Sequence, residues 1–239
     1  VIGRRSKNED VLKTEMIGNV LCSSVFDGHC GNTISKFLGG NLHPIILNNN
    51  KSLLKQNIDS SYDEVYKLIK KKHPKLSKEC GSTALSAFLT SPNKITVCNV
   101  GDCRALLCIN GNAHQITKDH KPYTTEESVR IKQLGGKITR HKDDVARIEG
   151  LAVSRVFGDH DAKPYVTHKP EIFNINTQKI VGLEFMVLGC DGLYDNCTNT
   201  QIVNFIKKNK HKPNYLKELT KYAIQRGSED NVSLTVIYF

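Results

Sequence analysis

Four acidic residues lie at glycine-marked corners of this chain, in the segments VFDGHCG, VGDCRA, LGCDGLYD and GSEDNV. They are Asp27, Asp102, Asp191 and Asp230. The first three follow apolar runs typical of strands, and the fourth comes directly before another such run. Carboxylates at strand ends can converge in a fold even when they are far apart in sequence. Because crowded carboxylates repel one another, the pattern predicts a site for hard cations.

Each corner taken alone also resembles a simple turn, because Asp, Asn and Gly dominate turns. The turn interpretation weakens because reactive side chains lie beside the corners. His29 follows Asp27 after a single glycine, and imidazole can transfer a proton near neutral pH. Arg5 precedes Glu9 by four residues, and its guanidinium can bind phosphate oxygens through two parallel hydrogen bonds.

The type of metal follows from the ligand types. An all-oxygen set suits Mg²⁺ or Mn²⁺, and the sequence contains no Cys/His spacing typical of zinc sites. Two such ions about 3.5–4 Å apart can share a water, generate a hydroxide nucleophile and direct an in-line displacement at phosphorus. Because Mg²⁺ keeps several of its waters, acidic residues that hold those waters matter as well. Glu9 and Asp10 are candidates for that task.

The composition narrows the class of protein. The chain has 239 residues, of which 38% are hydrophobic, and this predicts one soluble domain with a sizeable core. Its formal charge is +10, from 34 Lys and Arg against 24 Asp and Glu. The lysines are scattered without interleaved base-stacking aromatic residues, so we expect no nucleic-acid partner. No run approaches the roughly 18 apolar residues of a membrane-spanning helix, so we expect no membrane span.

The eight cysteines lie mostly in apolar runs and form no C-x-x-C pair. Free cysteine in such runs behaves as a small hydrophobe. With no signal peptide visible, this usage predicts a reducing compartment, the cytoplasm or the nucleus. The abrupt start at Val1 leaves open whether an amino-terminal extension or targeting segment was removed.

Helix-like and strand-like runs come in groups rather than in strict alternation. Such grouping predicts an α+β fold with a mostly antiparallel sheet. The expected strands span 19–27, 82–90, 94–100, 103–109, 113–117, 170–175, 184–190 and 231–239, with a type I′ hairpin at Asn110-Gly111. The expected helices span 31–48, 52–72, Thr125 to Gly135, a segment capped by Thr198 or Asn199 that ends near Lys208, and one that starts at Pro213.

Further short motifs join the four corners in a characteristic order. They are Gly3, Arg5, Glu9 and Asp10 in the string G-x-R-x-x-x-E-D, GSTA at 81–84, DHKP at 119–122 and LAVSRVFGD at 151–159. The whole series resembles the metal-dependent protein serine/threonine phosphatases of type 2C, the PPM family. The resemblance extends from residue 3 to the last expected strand and therefore covers nearly the whole chain.

The resemblance implies a set of metal ligands. Asp27 would bridge two Mg²⁺ or Mn²⁺ ions, and the carbonyl of Gly28 would complete the second. Asp191 and Asp230 would bind the first ion. Asp102, together with Asp191, would form a weaker third site.

The resemblance also implies roles for the residues around those ligands. Glu9 and Asp10 would hold metal-bound waters, and Arg5 would bind the substrate phosphate. His29 would be the general acid that protonates the leaving seryl or threonyl oxygen. A hydroxide bridging the two ions would attack the phosphoserine or phosphothreonine of protein substrates directly.

The fold implied by the resemblance is a β-sandwich of two antiparallel sheets flanked by pairs of helices, in four αββα layers. Residues 1–239 would form a single catalytic domain, with a flap beside the active site within about 119–168. Only Val1 and Ile2 precede Gly3, so we expect the first strand to be truncated. We also expect a monomer.

Two other functions fit parts of the sequence. Some relatives of this kind are inactive and serve as binding scaffolds, but such members would be expected to lose metal aspartates that are present here. His29-Cys30 followed by Lys36 partly matches the H-C-x₅-R motif of cysteine-dependent tyrosine phosphatases, but lysine lacks the planar fork of arginine. The sequence therefore favours a metal-dependent phosphatase, with a catalytically inactive scaffold as the alternative.

Overall fold

The computed structural model describes residues 1–49, 53–91, 93–140, 142 and 144–239. Within these residues the chain forms twelve β-strands and six α-helices. The strands are β1 (Val11–Ile17), β2 (Val20–Phe26), β3 (Gly28–His29), β4 (Gly81–Ser82), β5 (Ala84–Ser91), β6 (Lys94–Val100), β7 (Arg104–Ile109), β8 (Asn112–Gln115), β9 (Phe157–Gly158), β10 (Glu171–Asn176), β11 (Leu183–Gly189) and β12 (Leu234–Tyr238). The helices are α1 (Thr33–Asn49), α2 (Lys55–Lys72), α3 (Thr125–Gln133), α4 (Asp191–Tyr194), α5 (Asn199–Asn209) and α6 (Tyr215–Gln225).

Most of the strands belong to two antiparallel sheets. The larger sheet has the order β1-β2-β5-β6-β10, and the smaller has the order β12-β11-β7-β8. The two-residue strands β3, β4 and β9 form a third, small antiparallel sheet in the order β3-β4-β9. This small sheet becomes important at the candidate active site.

Side chains of the central strands divide between an inner core and two outer ones, because successive residues of a strand point to opposite faces. In β2, Val25 lies in the core between the two sheets, whereas Phe26 packs under helices. In β11, Met186 lies between the sheets and Val187 packs on the other side. The two sheets therefore pack face to face as a sandwich.

The outer faces are covered by pairs of helices. Leu38 of α1 and Tyr62 of α2 pack with Phe26 on the larger sheet. Ile206 of α5 and Leu219 of α6 pack against the smaller sheet. Four layers result, in the order αββα, and they confirm the fold predicted from the sequence.

Two local predictions are confirmed in detail. The Thr198 hydroxyl caps α5 by accepting a hydrogen bond from the Gln201 N–H, and the Gln201 side chain accepts one from the Thr198 N–H. Asn110 and Gly111 have φ angles of 49° and 79°, as a type I′ hairpin turn requires. The helix cap and the hairpin turn each depend on residues that are close together in the sequence, so both could be predicted without knowledge of the tertiary packing.

The amino-terminal half contains a strand that the prediction left out. Strand β1 pairs with β2 along its whole length, from Val11 opposite Phe26 to Ile17 opposite Val20. Its residues alternate between half-buried and exposed positions, as in an edge strand with one face on the core. The predicted start of the second helix, residue 52, lies outside the described residues.

The segment expected to contain a flap has a small core of its own. Ile131 of α3 packs there with Ile148, Val156 and Val166. In the described part of the chain, no helix is both long and apolar enough to cross a membrane.

Next to that small core, Glu127 is held by two arginines, and we call these three residues the Glu127 clamp. Its Oε1 lies 2.7 Å from Nη2 of Arg155, and its Oε2 lies 2.8 Å from Nη2 of Arg130. Although burial opposes the change, the two guanidinium groups lower the pKa of Glu127 to about 2. The clamp therefore fixes α3 to the chain that leads into β9.

Candidate active site

All four corner carboxylates line one cleft of about 600 Å³. Asp27 follows β2 of the larger sheet, and Asp191 follows β11 of the smaller sheet. Asp102 lies in the connection from β6 to β7, which crosses from one sheet to the other. The cleft therefore lies where the two sheets meet. The other sequence-predicted residues that line it are Arg5, Glu9, Gly28 and His29.

Burial and crowding disfavour the charged form of three carboxyl groups in and beside the cleft, those of Asp27, Asp191 and Asp10. Burial and the neighbouring Asp191 raise the pKa of Asp27 well above its usual range. Burial and Asp102 raise the pKa of Asp191 to about 8, even though Lys121 opposes the change. Burial also raises the pKa of Asp10. A divalent cation would stabilise such a group of mutually repelling carboxylates.

Asp10 lies beside Asp27, and its surroundings test whether the site fits a metal ion. Both oxygens of the Asp10 carboxyl are buried, and among the described residues neither has a hydrogen-bond partner. Ligand atoms of Asp10, Asp27 and Cys190 lie within 4.8 Å of one another. The Cys190 sulfur is already engaged, because it donates to the Asn231 carbonyl at 3.3 Å and accepts from the Ser233 N–H at 3.2 Å. The available donors are therefore oxygens, which fit Mg²⁺ or Mn²⁺.

Asn231 ties the amino-terminal segment to the Asp230 corner, a role that the sequence analysis did not assign. Its Oδ1 accepts a hydrogen bond from the Glu9 N–H at 2.7 Å. Its Nδ2 donates to the carbonyl oxygens of Ile2 at 2.8 Å and Lys7 at 3.0 Å. The available signal was its position directly after Asp230 in GSEDNV.

The same end of the chain is also held by its backbone. Val1 donates to the carbonyl of Val232 at 2.7 Å, and the Val232 N–H donates back at 2.8 Å. Nearby, Nη2 of Arg5 lies 2.7 Å from Oδ2 of Asp230. Arg5 is therefore positioned over one of the expected metal ligands.

Glycine at position 28 allows the small sheet to approach the amino-terminal segment closely. A Cβ atom there would lie 2.6 Å from the Glu9 carbonyl oxygen and 2.9 Å from Oγ of Ser35. Any side chain would therefore push Asp27 and Glu9 apart.

Lys121 supplies a cation between two of the carboxylates. Its ammonium is in direct contact with Asp102 and lies 3.7 Å from Oδ2 of Asp191. Although burial opposes the change, these two carboxylates raise the pKa of Lys121. Lys121 thus contacts both residues that the resemblance assigns to a third ion, a pairing that the sequence analysis did not anticipate.

His29 is oriented by Asp159, a residue to which the sequence analysis gave no role. In the small sheet, His29 lies opposite Gly81, and Gly81 lies opposite Gly158. Asp159 is the residue after Gly158, so the sheet brings it to the same end as His29. Nε2 of His29 is 2.8 Å from Oδ2 of Asp159, whose side chain is only 4% exposed. A Cβ at position 81 would lie 2.0 Å from that Oδ2, so only glycine leaves room for the contact.

Comparison with known proteins agrees with this geometry. Residues 14–232 match the family model described as "Protein phosphatase 2C". The chain is 36% identical over 250 residues to "Probable protein phosphatase 2C 59" of Oryza sativa subsp. japonica, covering 99% of this chain and 73% of the relative. It is 35% identical over 223 residues to "Probable protein phosphatase 2C 44" of the same organism, covering 90% of this chain and 67% of the relative.

A solved structure shows the same fold. The crystal structure of a serine-threonine phosphatase 2C from Toxoplasma gondii superposes with a TM-score of 0.84 at 21% identity, covering 100% of this chain and 92% of that one. At this identity the similarity concerns the fold alone. Together with the family match and the curated relatives, it leads to one conclusion: the chain belongs to the protein phosphatase 2C family, whose members are metal-dependent serine/threonine phosphoprotein phosphatases.

Proposed function

We propose that this chain hydrolyses phosphoserine and phosphothreonine in phosphorylated proteins, and that it requires Mg²⁺ or Mn²⁺. The observation that carries the proposal is the crowding of the half-buried Asp27 and Asp191 carboxyls in a cleft that also contains His29, with the buried Asp10 carboxyl beside Asp27. Family membership supports the same reaction.

Five residues would hold the ions. Asp27 would bridge two of them, with the Gly28 carbonyl on the second, and Asp191 and Asp230 would bind the first. Asp102 would contribute to a weaker third site only after Lys121 has moved away from it, because the two are in direct contact. When bound, such ions lower the pKa of water and neutralise the charge of a phosphate group.

The remaining residues position water and substrate. Glu9 and Asp10 would accept hydrogen bonds from waters around the ions, and Arg5 would bind the phosphate. The Arg5 side chain is 59% exposed, so its guanidinium can turn from Asp230 towards an incoming phosphate at little cost.

His29 would deliver the proton that the leaving oxygen needs. A carboxylate only accepts hydrogen bonds, so the contact with Asp159 places a proton on Nε2 of His29. Nδ1 is then the atom that donates to the leaving seryl or threonyl oxygen. The buried Asp159 would stabilise the imidazolium before transfer and fix the plane of the ring.

The proposal is tested by phosphate release from a phosphothreonine peptide, measured with Mn²⁺ and after chelation. Activity with Mn²⁺ that disappears on chelation would support it. Binding of the phosphopeptide without release under any divalent metal would favour the scaffold alternative. Full activity after chelation, with loss in Cys30→Ser, would instead indicate a cysteine-dependent mechanism.

The proton-transfer roles are tested with two leaving groups. His29→Ala and Asp159→Asn should slow hydrolysis of the phosphothreonine peptide by about 100-fold and about tenfold, respectively, and should affect an aryl phosphate much less. Asp161→Asn is the matched control, because this carboxyl lies two residues away and is exposed. Equal losses on both substrates would argue against a general-acid role.

A further inference from the structure

Two cysteines lie next to the proposed general acid, one on each side of the small sheet's first ladder. Gly28 pairs with Ser82 and His29 with Gly81, and Cys30 and Cys80 are the residues that directly follow the last pair, one on each strand. The Cys80 thiol donates a hydrogen bond to the Cys30 carbonyl oxygen at 3.1 Å. Paired residues of an antiparallel ladder have Cα atoms about 4.5–5.5 Å apart, and a disulfide spans about 4.4–6.8 Å, so two cysteines one step beyond a ladder are placed close enough for a small backbone adjustment to join them.

These are also the two thiols that a dissolved oxidant can reach. All eight cysteines lie within the described residues and are free, and six of them are buried. Cys30 is exposed and Cys80 is half-buried. Burial and the neighbouring Cys30 raise the pKa of the Cys80 thiol to about 11. Cys30 is therefore the thiol that reacts first, and Cys80 is placed to react second.

We propose that Cys30 and Cys80 form a reversible disulfide when the protein meets a hydroperoxide, and that this bond slows the reaction at His29. Formation of the disulfide follows from the geometry of the two cysteines alone. Its effect on turnover rests on the function proposed above for His29.

The chemistry balances in two steps. The Cys30 sulfur attacks one peroxide oxygen, the O–O bond breaks, and with hydrogen peroxide one water leaves while Cys30 becomes a sulfenic acid. The Cys80 sulfur then attacks the Cys30 sulfur, the S–OH bond breaks, and a second water carries away the Cys80 proton. Two thiols are oxidised and one peroxide is reduced to two waters. A dithiol reductant reverses the change by thiol–disulfide exchange.

The bond would act on His29 through the backbone. Cys30 has a left-handed φ of 56°, directly after His29. Linking its sulfur to Cys80 replaces the present hydrogen bond to the Cys30 carbonyl and moves the end of β3 relative to β4. Because the Gly81 contact fixes His29 against Asp159, a shift here misplaces the imidazole. Small misplacements of this kind can cost about 100-fold in rate.

The first experiment treats the full chain with hydrogen peroxide, blocks free thiols, digests it and maps crosslinked peptides by mass spectrometry. A Cys30–Cys80 linked peptide that disappears after dithiothreitol is expected. Cys80→Ser should give no such peptide and should leave Cys30 as a sulfenic acid that dimedone traps. Cys197→Ser, which removes a buried cysteine, should still give it. Alkylation of both Cys30 and Cys80 in the peroxide-treated protein would overturn the proposal.

The second experiment measures turnover of the same samples with saturating Mn²⁺. Oxidised wild type should lose about tenfold or more of its rate on a phosphothreonine peptide, with a smaller loss on an aryl phosphate, and dithiothreitol should restore both. Cys80→Ser with its sulfenic acid reduced should match untreated wild type. A crosslinked protein with unchanged turnover would overturn the inhibitory role. An untreated protein without any Mn²⁺-dependent turnover would instead refute the proposed function. The disulfide would then still be tested by mass spectrometry, which does not depend on turnover.

Discussion

Within the described residues, carboxyl groups in the cleft and in the Glu127 clamp have pKa values that are shifted in opposite directions. In the cleft, Asp27 and Asp191 lie among other carboxylates, and their pKa values are raised. In the Glu127 clamp, a single carboxylate meets two guanidinium groups, and its pKa is lowered to about 2. The same functional group is thus destabilised as an anion in one place and strongly stabilised in the other.

This difference in pKa distinguishes a ligand-binding site from an ion pair that only stabilises the fold. The clamp contains two guanidinium groups and one carboxylate, so its net charge is positive and an added cation would be repelled. The cleft has Lys121 as an internal cation, yet Asp191 beside it keeps a raised pKa. Negative charge that the protein does not neutralise itself indicates a site built for a ligand that arrives after folding.

The largest effect is expected from Asp191→Asn. Removing this carboxyl should lower Mn²⁺-dependent phosphatase activity by more than about 100-fold, because a proposed metal ligand is lost. In chelator the same variant should be more stable than wild type at pH 7, by roughly 1–4 kcal/mol, because the cost of burying the carboxylate and its repulsion by Asp102 are both removed. Urea unfolding in EDTA measures this, and a less stable variant would mean that the cleft carboxylates are not in conflict.

Glu127→Gln should change stability in the other direction. Leaving Arg130 and Arg155 without their anion should cost about 3 kcal/mol of unfolding free energy. The matched control is Glu126→Gln, which removes the adjacent carboxyl from an exposed pair with Lys118 and should leave stability nearly unchanged. Equal effects of the two substitutions would show that the clamp is no more than a surface ion pair.

The clamp also predicts a pH dependence. Glu127 has a folded-state pKa of about 2, below the ordinary value of 4.5, so its contribution is complete above about pH 4.5 and is lost as pH falls towards 2. Between pH 7 and pH 3 the stability advantage of wild type over Glu127→Gln should shrink by about 2 kcal/mol. Urea titrations of both proteins across that range provide the measurement. A difference that stays constant with pH would contradict the low pKa.

The smallest effect is expected from Arg155→Lys, which keeps the charge but removes the planar fork. Nε and Nη2 of Arg155 both donate to Glu127, at 3.0 and 2.7 Å, and lysine cannot reproduce both bonds. We expect a loss of about 1 kcal/mol with the low-pH behaviour of wild type retained. A loss as large as that of Glu127→Gln would show that geometry, rather than charge, governs the clamp.

The parts of the site that the sequence predicts are those marked by short local patterns. The four corners, His29 and Gly28 follow from turn residues at the ends of apolar runs. Their partners Asp159 and Lys121 could not be predicted in this way, because only the fold brings them into contact. Asp159 is 130 residues from His29, and Lys121 is 19 residues from Asp102. Arg155 of the clamp is missed for the same reason, because it lies 28 residues from Glu127, whereas Arg130 is only three residues away on α3.

The layers of the fold are predictable because helix and strand periods are local and repeated. Strand β1 is the exception, because its segment VLKTEMI has two apolar residues, then three polar ones, then two apolar ones, and so shows no alternation that would mark a strand. An edge strand buries one face only, so fewer apolar residues mark it. The expectation of a truncated first strand, the monomeric state and the location in the cytoplasm or nucleus stay predictions.

The pairing of the two ends of the chain has a consequence for biosynthesis. Arg5, Glu9 and Asp10 reach their places only when Asn231 has arrived to bind the amino-terminal segment and Val232 to pair with Val1. Translation delivers those partners more than 200 residues after the segment they bind, since Glu9 and Asn231 are 222 residues apart. A nascent chain on the ribosome can therefore build most of both sheets while its cleft is still incomplete, and any phosphatase activity would begin only after residues 231 and 232 have left the ribosome.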